Sequence, residues 1–245
     1  MLMRTGIGEI YHRGFRLIAA LPLLVAVPIL AEFVQHAAEI RLGMYAGGMD
    51  DACRAVRLAF GAAKILAIFV TMLVAWRWWR FEGDLARALR PTAAMLRGLG
   101  LLLLMQLAGD GAALALGRGA IALVGEPEVP IRIALTALPL LGWLFLSGAL
   151  FPWYVALVTE DRTMTLAASW RASRGRLWAT WGTLLAGTMP LMAVHYALGY
   201  AAIAGKGPAW LLMAMDAGVV GSLSAMLAAT YFTIYARAHG RLMSR

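Results

Sequence analysis

The chain has 245 residues, 62% hydrophobic and 14% charged, with 22 Lys and Arg against 13 Asp and Glu for a net charge of +9. A soluble domain is about half apolar and a quarter charged, so this balance excludes an ordinary soluble fold and points to a polytopic membrane protein. Nucleic-acid binding is not expected, because the basic residues lie in short stretches between long apolar runs, where such charge reports membrane orientation.

Residues 1–14 are polar and basic, with Arg4 and Arg13. The apolar run that follows predicts a span over 15–37, kinked at Pro22 and Pro28, neither of which can donate a backbone hydrogen bond. No small-residue cleavage site follows it, so a cleavable signal peptide is not expected. The next loop holds Glu39, Arg41, Gly47-Gly48, Asp50 and Asp51. Cys53 is the one cysteine, which admits no intrachain disulfide and reads as an ordinary small residue. A second span is predicted over 56–76, ending in Trp76-Arg77-Trp78-Trp79-Arg80, an aromatic and basic belt suited to the headgroup level.

Residues 81–97 are basic, and Pro91 could open a short helix there. The third span is predicted over 98–118, followed by a loop with Glu126, Pro127, Glu128 and Pro130. The fourth covers 131–158 and contains Pro139 and Pro152. Residues 161–178 are polar, with four arginines and two tryptophans, and read as an interfacial helix turning into a span. The fifth span covers 177–202 and contains Pro190. Gly205-Lys206-Gly207-Pro208 reads as a tight turn, the sixth span covers 209–236, and a basic tail follows. The expected fold is an all-α six-helix transmembrane bundle with short cytoplasmic interfacial helices, forming one integral domain over 1–245.

Orientation follows from the basic residues. With both termini on the cytoplasmic side, that side holds 15 of the 22 Lys and Arg, including Arg77, Arg80, Arg97, Arg162, Arg171, Arg174, Arg176 and Arg237. Arg-Gly recurs before the first, third and fifth spans, at Arg13-Gly14, Arg97-Gly98 and Arg174-Gly175. Helical stripes Ile7/Tyr11/Gly14/Ile18, Leu85/Leu89/Thr92/Leu96 and Leu166/Trp170/Ser173/Leu177 lie at the same entries. The pairs and the stripes differ in register by up to about one helical turn. Together they suggest three repeated units, each a short interfacial segment followed by a helical hairpin.

Ser169-Trp170, then Arg174-Gly175, then Trp178 ahead of a long span resembles a loose group of bacterial integral membrane proteins. That group is the membrane domain of glycerophosphodiester phosphodiesterases together with YciC-like proteins. The resemblance covers about 20 residues closely. It implies a helical bundle in the bacterial inner membrane. Some relatives carry a soluble phosphodiesterase domain; this chain, ending at Arg245, shows none, so that activity is not expected.

Ionisable residues within spans are costly and face protein or water. Lys64, Asp110 and Asp216 qualify, and His195 lies at a similar depth. They read either as a polar substrate-binding site or as a buried Lys–Asp pair that fixes helix register. Arg97, Trp170, Arg171, Arg174, Arg176 and Trp178 are the candidates for headgroup contact at the interface. His36 and His195 fall on one side of the membrane, His12 and His239 on the other, and solvated histidines explain both pairs without haem or metal. Glu32 and His36 have a metal-like spacing in a context that does not support a metalloprotease. Ala217/Gly221/Ala225/Ala229 and Ala59/Ala63/Ala67 are small-residue stripes suited to close helix packing, within the monomer or in an oligomer. No catalytic motif or cofactor site is found. The expected function is binding or transport of a lipid, another amphiphile or a small substrate; the alternative is a non-catalytic scaffold that docks a protein partner or anionic headgroups.

Overall fold

The computed structural model describes residues 6–44, 51–125 and 128–243, the first two of the middle segment by their backbone alone. The readings at Arg4, Gly47, Gly48, Asp50, Glu126, Pro127, Arg245 and the Asp51 side chain lie outside the described residues. Among the described residues the chain forms helices and turns and no strand. Helices α1 (Ile7–Ala20), α2 (Pro22–Arg41), α3 (Asp51–Arg80), α4 (Leu85–Leu89) and α5 (Ala93–Val124) make up the first half. Helices α6 (Val129–Ser147), α7 (Phe151–Thr159), α8 (Leu166–Ser173), α9 (Leu177–Ile203) and α10 (Ala209–Met243) make up the second, with a 3-10 turn over Arg174–Arg176. Six stretches are long and apolar enough to cross a membrane, and the chain is a polytopic helical membrane protein.

Helix boundaries follow local chemistry. The expected first span is broken at Leu21, which leaves helical geometry because Pro22 follows it, and Pro22 opens α2. Its membrane-crossing part is therefore Pro22–Arg41, and α1 is a separate helix that buries Ile10, Gly14 and Leu17. Pro91 opens no helix: α4 stops before it, and α5 starts at the Thr92 cap, whose hydroxyl accepts from Met95 N at 3.0 Å. The expected fourth span divides into α6 and α7 at a turn before Pro152. Thr165 caps α8 by accepting from Ala168 N at 3.2 Å. Each expected entry thus carries a short helix, but the second and third stripes cross helix boundaries and do not form single faces. The turn closing α9 uses Gly205 at φ +64°, a left-handed conformation open to glycine, and Lys206 N returns to Ala201 O at 2.9 Å.

Three prolines lie inside long helices, and each frees the carbonyl four residues earlier. Neighbouring helices come close to each of those carbonyls. Pro28 frees Leu24 O, and the Thr71 hydroxyl of α3 lies 3.3 Å from it. Pro190 frees Ala186 O, and the Tyr11 hydroxyl of α1 donates to it at 3.1 Å. Pro139 frees Leu135 O, against which the bare Cα of Gly117 packs. In lipid no water can satisfy such groups, and for Ala186 O the donor comes from a neighbouring helix.

The chain groups into two compact units, one of residues 1–89 and 183–233, the other of 90–182 and 234–245. In the first, α2 packs on α3, and a Cβ at Gly221 of α10 would run into Ile29 of α2. The stripe Ala217/Gly221/Ala225/Ala229 is buried in this packing, whereas Ala59 and Ala63 of the other stripe are exposed. Trp76 and Arg77, expected in a headgroup belt, are buried instead. Trp76 Nε1 donates to Ala228 O at 3.0 Å, and Arg77 Nε donates to Ala88 O at 2.8 Å, tying down the end of α4. In the second unit α5 packs on α6 and α7, and Gly98 lies against the backbone of Leu157. The α6–α7 break leaves carbonyls exposed to packing: Trp181 Nε1 donates to Phe145 O at 2.9 Å and Ser169 Oγ to Ala149 O at 2.7 Å.

Candidate functional site

Within the first unit, four long helices bring ionisable side chains to one place. Asp216 of α10 is buried and holds two histidines, one on each oxygen: His36 Nε2 of α2 at 2.9 Å and His195 Nδ1 of α9 at 2.7 Å. Glu32, one turn before His36, is fully buried. Its Oε1 lies 3.1 Å from His36 Nε2 and its Oε2 lies 2.8 Å from Lys64 Nζ of α3. These are ion-pair distances, but neither Glu32 oxygen has a partner in hydrogen-bond geometry. On the far side of its ring, His36 Nδ1 contacts Glu39 Oε2 at 3.0 Å. Glu39 Oε1 in turn accepts from Gln35 Nε2 at 3.0 Å and pairs with Arg57 Nε at 3.3 Å.

The sequence positions at i, i+4 and i+7 in Glu32, His36 and Glu39 explain the arrangement, since such residues share one helix face. Lys64, Asp216 and His195, expected to lie together, do so. The lysine's partner is Glu32, not an aspartate. Asp110 belongs to the second unit, where it accepts from Gln106 Nε2 at 3.0 Å, one turn earlier in α5. His36 and His195, read as solvated, both turn inward to Asp216. Glu39, placed in a loop from the sequence, is buried on α2. The Glu32/His36 spacing was visible in the sequence; the missed signal was its continuation to Glu39 on the same helix face.

The second unit carries a different site. A cavity of about 640 Å³ is lined by Arg97, Leu101, Leu157, Arg162 and Leu166 among others. An apolar cavity of about 440 Å³, lined by Met105, Trp143, Leu150, Leu166 and Trp170, shares Leu166 with it. Two acids, Glu160 and Asp161, line the same cavity. Glu160, left-handed at φ 60° at the end of α7, accepts from Thr92 Oγ1 at 2.7 Å. Asp161 Oδ1 accepts from Thr163 N and Oγ1 at 2.9 and 2.6 Å, and its Oδ2 accepts from Tyr235 OH at 2.6 Å. Burial alone would push the Asp161 carboxyl up, but these donors, with His239 nearby, outweigh burial and hold it below the ordinary value. Arg97 and Arg162 are exposed at the mouth.

Of the other interfacial candidates, Trp170, Arg171, Arg174, Arg176 and Trp178 are all exposed. Ser169, beside them in the sequence pattern, is buried as a link between α8 and the α6–α7 break. Fold and site together define a multi-pass helical membrane protein with an ionic cluster inside its spanning helices. Compared with known proteins, the chain matches no family model, no curated protein and no solved structure.

Proposed function

We propose that the protein binds an amphiphile with an anionic headgroup in the bacterial inner membrane, and moves or presents it there, with both termini cytoplasmic. The observation that carries this reading is the paired cavity of the second unit, where a charged mouth with two exposed arginines adjoins an apolar cleft through Leu166. Arg97 and Arg162 suit a phosphate or carboxylate, which guanidinium groups hold by charge-assisted hydrogen bonds. Leu101, Leu157 and the cleft beyond suit an acyl chain. Glu160 and Asp161 line the same cavity and keep their charge, held by Thr92, Thr163 and Tyr235, so the anion is expected against the two arginines and away from these carboxylates.

Native mass spectrometry of the purified chain in mild detergent tests this. Near-stoichiometric anionic lipid is expected on the wild type. Arg97→Gln with Arg162→Gln should weaken its retention roughly 30-fold, at about 1 kcal/mol for each basic side chain near the surface. Equal retention of neutral lipid, or no change in the double variant, would overturn the reading. A second reading, a scaffold that docks a partner, is favoured by the exposed Arg171, Arg174 and Arg176. Crosslinking to one abundant protein, lost when those three are neutralised, would favour it over lipid binding.

A further inference from the structure

We propose that Glu32, His36, His195 and Asp216 form a binding site for a divalent transition-metal ion, apart from the amphiphile cleft. The ligand atoms of Glu32, His195 and Asp216 lie within 4.8 Å of one another. His36 Nε2 lies 3.1 Å from the first and 2.9 Å from the last of these residues. Ligands bonded tetrahedrally at about 2.0–2.2 Å stand roughly 3.3–3.5 Å from each other, so the pairs now at 2.7, 2.9 and 3.1 Å would open and the wider ones, up to 4.8 Å, would close around an ion. Two imidazoles and two carboxylates are a donor set suited to zinc, iron, cobalt or manganese.

Three features separate a metal centre from a plain network of ion pairs. His36 Nε2 faces two carboxylate oxygens, and a single N–H makes one good hydrogen bond. Glu32 is fully buried, yet neither of its oxygens has a hydrogen-bond partner. Lys64 compensates one oxygen at 2.8 Å, and on the other a metal ion would need no N–H angle where the His36 contact lacks one. Behind the ring, His36 Nδ1 meets Glu39, which Gln35 and Arg57 hold in place. A carboxylate on the far nitrogen of a ligating histidine, itself braced by further donors, is the outer arrangement that fixes the tautomer and orientation of metal-binding imidazoles. Lys64 sits on Glu32 Oε2, which leaves Oε1 for the ion. Charge permits it: with neutral imidazoles, Glu32, Glu39 and Asp216 outnumber Lys64 and Arg57 by one negative charge.

The experiment uses the full chain in detergent, stripped with a chelator and titrated with Zn²⁺ and then Co²⁺. One ion per chain is expected, with a visible Co²⁺ absorption of low-symmetry N/O coordination. His195→Gln and Asp216→Asn should abolish saturable binding. If either variant fails to fold, Glu39→Gln is the companion test. It keeps the four ligands and should weaken Zn²⁺ binding about 10–100-fold, as loss of an outer-shell partner does. A wild type that takes up neither ion, or one whose uptake is unchanged in Glu39→Gln and in His195→Gln, overturns the proposal. The lipid arm of the earlier test is read on the second unit and stands or falls separately.

Discussion

Asp161 is buried at the end of α7 yet keeps its carboxyl below the ordinary range, because Thr163 and Tyr235 donate to it. A carboxyl so placed stabilises the fold at every pH above its unfolded value and loses that contribution as the pH falls through its own lowered value. Thermal unfolding in detergent should therefore show an acid-sensitive component that sets in as the pH falls through the ordinary carboxylate value and continues down to the lowered one. Asp161→Asn should be less stable at neutral pH and should lack that component. Tyr235→Phe should cost about 1.5–3 kcal/mol at neutral pH, the value of a hydrogen bond to a charged group. An unchanged acid profile in Asp161→Asn would show that other carboxylates set it. At this scale the sequence was uneven. Lys64, Asp216 and His195 stood out because a charge or imidazole in an apolar run is rare. Glu32, inside the first span, was noted only for its spacing to His36, and Glu39 read as a loop residue beyond the run, although the helical spacing of all three was there to see. Asp110 stood out equally and has a local partner in Gln106, which no pattern of apolar runs would distinguish.

The helices show how prolines are accommodated, and the matched donors make a test. Tyr11 of α1 donates to Ala186 O, the carbonyl that Pro190 leaves without its helical partner. Tyr11→Phe should strand that carbonyl and cost about 1–3 kcal/mol. With Pro190→Ala in place, residue 190 regains an N–H that can reach Ala186 O, so the same Tyr11→Phe change should cost much less. A double-mutant cycle in detergent unfolding should give a coupling of about 0.5–3 kcal/mol between the two sites. Additive effects would mean that water or detergent, not Tyr11, serves the carbonyl. The six spans were legible from hydrophobic run length alone, and the last two began where the sequence placed them. The breaks were less so. Hydropathy does not change at Leu21 or at 148–150, and whether a proline kinks a helix or starts a new one depends on which neighbour satisfies the freed groups.

At the scale of the whole chain, layout is set by where charge is tolerated. Six stretches can cross a bilayer, and an even number of crossings returns the chain to the side it left. The connections then alternate between basic and sparsely charged. Arg80, Arg87, Arg90 and Arg97 surround α4, and Arg162, Arg171, Arg174 and Arg176 surround α8. The α9–α10 turn holds Lys206 alone. Arginine is retained on the cytoplasmic side of bacterial membranes, so the α4 and α8 segments and both ends should lie inside. The ionic cluster adds an internal check, because it must be placed without exposing Asp216 to lipid. Asp216 lies seven residues into α10 and His195 eight from the end of α9, roughly 10 and 12 Å at about 1.5 Å per residue. Both are therefore in the half of the bilayer nearer the α9–α10 turn. Reporter fusions decide the layout. Green fluorescent protein at the C-terminus should fluoresce, and alkaline phosphatase there should be inactive. Alkaline phosphatase fused after Gly205 should be active, because that turn is expected outside. The reverse pattern would invert the chain and put the α4 and α8 segments, with Arg97 and Arg162, outside, where an inner-leaflet anionic lipid could not reach them.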